Sequence, residues 1–200
     1  NVGIGSGWRA HPLDTVVEDR FYMLRTPDVF GPPRDADGNV EYPEAVTESD
    51  LFEATNTSTV TASASEVEHG WYLAFPDDGE KVLGASLTVE GQVLFTSYVP
   101  EDDAEDECSV SVGGGRLYAL DAITAEAVLD LDGSSSDPDD ELTLDDRSRR
   151  LKAPGIPAPI SVLLPESANP PGSAEISLDV RSKGERVELE SLPSVMRTYW

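Results

Sequence analysis

Chemistry in this 200-residue sequence has to come mainly from its carboxylates, because other reactive side chains are scarce. Asp130, Asp132, Ser134, Ser136 and Glu141 stand at positions one, three, five, seven and twelve of an EF-hand-like loop. Oxygen donors at that spacing surround a hard cation, and the final glutamate can bind through both of its oxygens. The sharp turn of such a loop wants glycine at position six, where this chain has Ser135; the glycine stands at Gly133, and Pro138 occupies position nine. These residues read either as a weak calcium loop, with an expected dissociation constant of ~10⁻⁴ to 10⁻³ M, or equally as a solvated acidic loop that aids solubility and holds no ordered ion. A second acidic run, Asp35, Asp37, Gly38, Asn39 and Glu41, carries similar donors. Its Asp-Gly and Gly-Asn steps are equally good turn formers, so a plain turn is the stronger reading there.

Catalytic material is thin. His11 precedes Pro12 and His69 precedes Gly70-Trp71, which suits turn or strand-edge positions better than an acid and base pair, and no serine or cysteine sits in an activating context. Gly3-x-Gly5-x-Gly7 lacks dinucleotide spacing, and Pro12 cuts short any helix that would supply amide donors to a phosphate. No catalytic residue is assigned, no cofactor beyond weakly held calcium is expected, and the chain is expected not to be an enzyme.

The elements that must position these groups are strands. Fifteen prolines and sixteen glycines interrupt the chain so often that no apolar stretch approaches the ~20 residues of a membrane span. Lys81 to Val89 and Gln92 to Val99, joined by Glu90-Gly91, predict a hairpin. Gly115 to Ala122 and Ala127 to Leu131 predict a second, and Ala174 to Val180 with Arg186 to Leu192 a third. Arg20 to Arg25, Trp71 to Phe75 and Ile160 to Leu164 read as single strands. Loops are expected at 31–50, 53–70, 101–115 and 132–155. Short strands at this spacing predict an all-β fold, a sandwich, barrel or propeller of antiparallel blades with long acidic loops.

Thirty-nine acidic residues against fourteen basic ones give a formal charge of −25, which repels a phosphate backbone and excludes nucleic acid as an expected partner. Only Lys81, Lys152 and Lys183 are lysines, and an acid-rich, lysine-poor surface suits either concentrated salt or, in an ordinary organism, an acidic surface that attracts calcium. Cys108 is alone, so no disulfide forms within the chain.

Several segments carry a family resemblance. Gly3-Ile4-Gly5-Ser6-Gly7-Trp8-Arg9-Ala10-His11-Pro12-Leu13-Asp14, then Asp19-Arg20-Phe21-Tyr22, Gly70-Trp71-Tyr72-Leu73, Gly79-Glu80-Lys81-Val82-Leu83, Phe95 to Pro100, Cys108, Leu117-Tyr118-Ala119-Leu120-Asp121 and Arg197-Thr198-Tyr199-Trp200 fall in the order shown by PilY-type proteins. These are type IV pilus tip adhesins and assembly factors, and the resemblance covers most of the chain. Leu117 to Thr124 also resembles the blade signature of quinoprotein-type propellers, with Ala125 where a glycine usually follows. The resemblance implies one unit over residues 1–200, the C-terminal part of a propeller, supplying about four blades or fewer at ~40–50 residues each. It implies a pilus biogenesis and adhesion module, located outside the cytoplasm at a pilus tip, on the outer membrane surface or in the periplasm. Its partners would be the remaining blades or a partner chain, minor pilins and surface receptors. A quinone-dependent dehydrogenase propeller and a scaffold propeller of outer-membrane assembly are the alternatives.

Overall fold

The computed structural model describes residues 1–26, 31–41, 45–63, 65–100, 112–134, 141–163, 177–180 and 185–188. Ser136, Cys108, the acidic run 101–107 and the closing segment 197–200 lie outside the described residues. The described chain is all-β: eleven strands, single turns of 3-10 helix, and no α-helix among the described residues.

The first sheet contains β1 (Val2–Gly5), β2 (Arg20–Leu24), β3 (Phe52–Glu53) and β4 (Gly70–Ala74) in the order β1-β2-β4-β3. Its pairings are antiparallel except the short parallel one between β3 and β4. The second sheet is an antiparallel meander of β5 (Leu87–Val89), β6 (Gln92–Val99), β7 (Gly114–Asp121) and β8 (Ser148–Pro154) in chain order. A third, of β9 (Ser161–Leu163), β10 (Ser177–Val180) and β11 (Glu185–Glu188), has the order β11-β10-β9 and is antiparallel throughout.

The Glu90-Gly91 turn forms as the sequence requires. Both residues have positive φ, 49° and 81°, the geometry that matches the right-handed twist of the flanking strands. Its first strand is shorter than expected, since Lys81 meets Tyr98 only in an isolated bridge. The β10 and β11 pair and the strands near residues 20, 71 and 160 also fall where the sequence places them.

Two expectations are corrected. Ala127 to Leu131 is not the partner strand of β7: Ala127 bridges Leu120, and the chain then leaves the sheet. Leaving lets Leu131, with Val128 and Leu129, cover one face of the sheet instead of extending its edge. The vacated edge of β7 is taken by β8, which runs through the end of the region expected as loop 132–155. The strand β1, absent from the sequence-based assignment, pairs with β2 from Val2 opposite Leu24 to Gly5 opposite Phe21.

The first two sheets stack face to face. Phe21, Met23, Trp71 and Leu73 of the first sheet bury against Val93, Phe95, Tyr118 and Leu120 of the second. The opposite face of the second sheet carries Leu94, Leu117, Ala119 and Leu151, covered by Leu131 and by Ile160 at the entrance to β9. The β5–β8 sheet is therefore covered on both sides, which is why Val93, Leu94 and Phe95 form an uninterrupted apolar run where a half-exposed strand would alternate.

The N-terminal segment is fastened to the residues before β5 by contacts too close for larger side chains. A β-carbon on Gly5 would lie 2.3 Å from Cβ of Val82. Gly5→Ala is expected to lower stability by about 1–3 kcal/mol through overpacking. Combined with Val82→Gly, which removes the Cβ and both methyls that Gly5→Ala would meet, the loss in denaturant melts should be smaller than the sum of the two separate losses, whereas additive losses would place the strain elsewhere.

Candidate metal centre and buried carboxylate network

Asp130 and Asp132 follow Leu129 and Leu131, whose packing on the β5–β8 sheet holds this stretch in place. The backbone N–H of Gly133 donates to Oδ1 of Asp130 and that of Ser134 to Oδ1 of Asp132, each at 2.7 Å. The third member of the group comes from further along the chain. Asp146 sits in the 3-10 turn Asp145–Arg147 immediately before β8 and is fully buried. One carboxylate oxygen from each of Asp130, Asp132 and Asp146 lies within 4.8 Å of the others.

Of the residues expected as ligands, the structure thus brings Asp130 and Asp132 together and adds Asp146. Glu141 is exposed and does not join the group, and Ser134 contributes its backbone N–H to Asp132. Ser136 lies outside the described residues. The twelve-residue frame ends before Asp146, so the spacing rule had no place for it. The signal that finds it is Thr143-x-x-Asp146, in which Thr143 donates to Oδ2 of Asp146 through its backbone N–H at 2.7 Å and its hydroxyl at 3.0 Å.

The Asp35 run is a turn. Oδ1 of Asp35 accepts the N–H groups of Asp37 and Asn39, and Oδ2 accepts the Asn39 amide at 3.0 Å. These bonds, the Asn39 pair foremost, hold the Asp35 carboxyl below its ordinary value. Arg34 and Val40 bridge on either side, completing a small hairpin in which Asp35 serves the backbone.

A second polar constellation was not anticipated. Glu80 is 1% exposed, and its Oε1 accepts hydrogen bonds from the hydroxyls of Ser97 and Tyr118. Arg116 Nε lies 3.5 Å from the same oxygen, while its Nη2 pairs with Asp77, which also faces Arg150 at 3.0 Å. Burial raises the Glu80 carboxyl above its ordinary value, and Ser97, Arg116 and Tyr118 offset only part of that. Burial acts on Asp77 in the same direction, but there the Arg116 hydrogen bond and the charges of Arg116 and Arg150 prevail and hold it low. Desolvation, reinforced by Glu80, pushes the Tyr118 phenol well up. The buried Glu80, with the half-buried Arg116 and Asp77 and the exposed Arg150 beside it, links β6, β7, β8 and the turn before Lys81.

The histidines occupy separate turns. His11 lies in the Trp8 to Asp14 turn, its ring centroid 4.1 Å from that of Trp8, and His69 precedes β4. The segment from Leu117 to Thr124 has a structural role: Oδ1 of Asp121 accepts the N–H groups of Ile123 and Thr124 at 2.8 Å, and Trp71 Nε1 donates to the Ala122 carbonyl. Ala125 adopts φ 58°, a left-handed conformation that favours glycine.

Among the described residues no helix is long and apolar enough to cross a membrane. No family model, characterised protein or solved structure matches the chain.

Proposed function

We propose that the chain is a non-catalytic binding and assembly module, a segment of a quinoprotein-like propeller in a PilY-type pilus protein displayed outside the cytoplasm. The observation that carries this reading is the β5–β8 meander: four antiparallel strands in chain order, covered on both faces. Inner blades of a propeller have that organisation, because each packs between two neighbours. The segments that resemble the pilus family also pack on one another. Arg9 Nη1 donates to the Leu83 carbonyl at 2.6 Å, Lys81 Nζ donates to the Asp14 carbonyl, and Val82 N–H donates to the Ser6 carbonyl at 2.9 Å. Resemblance at Gly3 to Asp14 and at Gly79 to Leu83 thus belongs to one packed unit.

The work of such a module is to present surface loops from a rigid stack of sheets. Antibodies raised against the chain test the reading on cells of the source organism. Labelling of intact cells, concentrated at pilus tips, is the expected result. Labelling that requires permeabilising the outer membrane would favour a scaffold of outer-membrane assembly. Alcohol oxidation by the chain with added pyrroloquinoline quinone and calcium would favour a dehydrogenase.

A further inference from the structure

We propose that Asp130, Asp132 and Asp146 together form a site for a hard divalent cation, calcium in the first instance, which ties the acidic segment after β7 to the base of β8. Three clustered carboxylates alone would carry no such inference, since exposed acidic groups gather without an ion. The deciding observation is Asp146. It is fully buried, its Oδ2 is satisfied by Thr143, and its Oδ1 has no hydrogen-bond partner among the described residues.

A buried carboxylate oxygen without a partner is costly, and proteins normally satisfy it or place a counter-charge beside it. The adjacent arginine does not serve. Arg147 sends its guanidinium to backbone carbonyls on another segment, Nη1 to Ala54 at 2.7 Å and Nη2 to Thr57 at 2.5 Å. What does stand beside Asp146 is two further carboxylates, with one oxygen from each residue inside the 4.8 Å group. Two more negative charges next to a buried one raise its cost, and a cation shared among all three reverses the sign of that interaction.

The donor chemistry selects the class of ion. All three ligands are carboxylate oxygens, and no histidine or cysteine belongs to the group, which suits calcium or magnesium over zinc or copper. Exposure of Asp130 and Asp132 leaves room for water to complete the shell, and calcium tolerates such an irregular shell better than magnesium does. The ligands also come from two places in the chain, one anchored by Leu129 and Leu131 and the other by the 3-10 turn and β8. This inference stands on side chains of the chain itself and does not depend on the pilus reading.

The test is calorimetric titration of the chelator-treated chain with calcium chloride, in ~0.5 M potassium chloride so that diffuse attraction to the acidic surface is screened. One saturable event with a dissociation constant of ~10⁻⁴ to 10⁻³ M is expected. Asp132→Asn, an exposed change that leaves the core untouched, and Asp146→Asn should each weaken it about tenfold or more. Glu141→Gln should leave it unchanged. The proposal is overturned if the parent chain gives no saturable heat at millimolar calcium, or if either Asp132→Asn or Asp146→Asn binds as the parent does. Loss of binding on Glu141→Gln would also overturn it, returning the ion to the twelve-residue loop.

Discussion

Phe95→Ala is expected to lower the stability of the chain by about 3–5 kcal/mol, the largest effect of any single substitution considered. Phe95 is fully buried on β6 and forms the middle of a ladder of rings that crosses from one sheet to the other. Its ring stacks on Phe21 of the first sheet with centroids 3.9 Å apart and on Tyr118 of β7 at 4.7 Å, while Phe75 approaches at a tilt. Truncation removes both the apolar surface buried between the sheets and the stacking partners of two other rings. A cavity forms because Phe21 and Tyr118 are fixed on strands and collapse only partly. A double-mutant cycle of Phe21→Leu and Phe95→Leu should show a coupling of about 0.5–1.5 kcal/mol, the part due to the ring pair itself. Denaturant unfolding followed by tryptophan fluorescence measures both, since Trp71 lies in the same core and is tilted against Phe21. Additive losses would mean that the sheets do not meet through this ladder.

Arg116→Met is expected to cost about 3 kcal/mol near pH 7 and less near pH 4. Methionine fills similar space, so the loss reports the charge and not the volume. Without the guanidinium, Glu80 remains buried among Ser97 and Tyr118 and loses the arginine that faces it, and Asp77 keeps only Arg150 of the two arginines that now face it. The dependence on pH follows from the directions of the two shifts. Asp77 titrates lower in the folded chain, so it contributes stability above its unfolded value that is lost as the pH falls through its folded value. Glu80 titrates higher when folded, so its contribution is present below its unfolded value and lost as the pH rises through its folded value. Removing Arg116 abolishes much of the Asp77 contribution and raises Glu80 further, and both changes weigh most at neutral pH. Acidification protonates the two carboxyls and should narrow the gap between parent and variant. Adding Glu80→Gln to Arg116→Met should restore part of the loss at neutral pH. A gap that is constant from pH 4 to pH 7 would show that Arg116 acts through packing alone.

Much of this architecture is legible in the residues. The β5 and β6 hairpin was written in the Glu90-Gly91 turn, and the doubly covered sheet in the apolar run from Val93 to Phe95. β8 was harder to see because its polar residues conceal a two-residue period: Leu151 and Ala153 are buried, while Arg150 and Lys152 between and before them are exposed. Ala127 to Leu131 misled for the opposite reason. A short apolar run identifies burial but not the geometry of burial, and these side chains pack on the face of a sheet whose edge another strand occupies.

The candidate site divides in the same way. Asp130 and Asp132 were visible because local spacing fixes their relation, whereas Asp146 reaches them only through the path of the chain into β8. Glu80 and Lys81, both 1% exposed, form a charged pair of neighbours that composition alone assigns to the surface. Their burial depends on partners distant in sequence, Ser97, Arg116 and Tyr118 for Glu80 and the Asp14 carbonyl for Lys81.

The central claim is that the β5–β8 sheet is an inner blade, packed between neighbouring sheets of a propeller. An electron cryomicroscopy or crystal structure of the complete gene product tests it most directly. The account predicts successive four-stranded sheets arranged around a common axis, with Phe21 and Phe95 in one interface of the β5–β8 sheet and Leu94, Leu117 and Leu151 in the next. A closed two-sheet sandwich, in which the face bearing Leu94 and Leu117 is covered only by the segment from Val128 to Leu131, would contradict it.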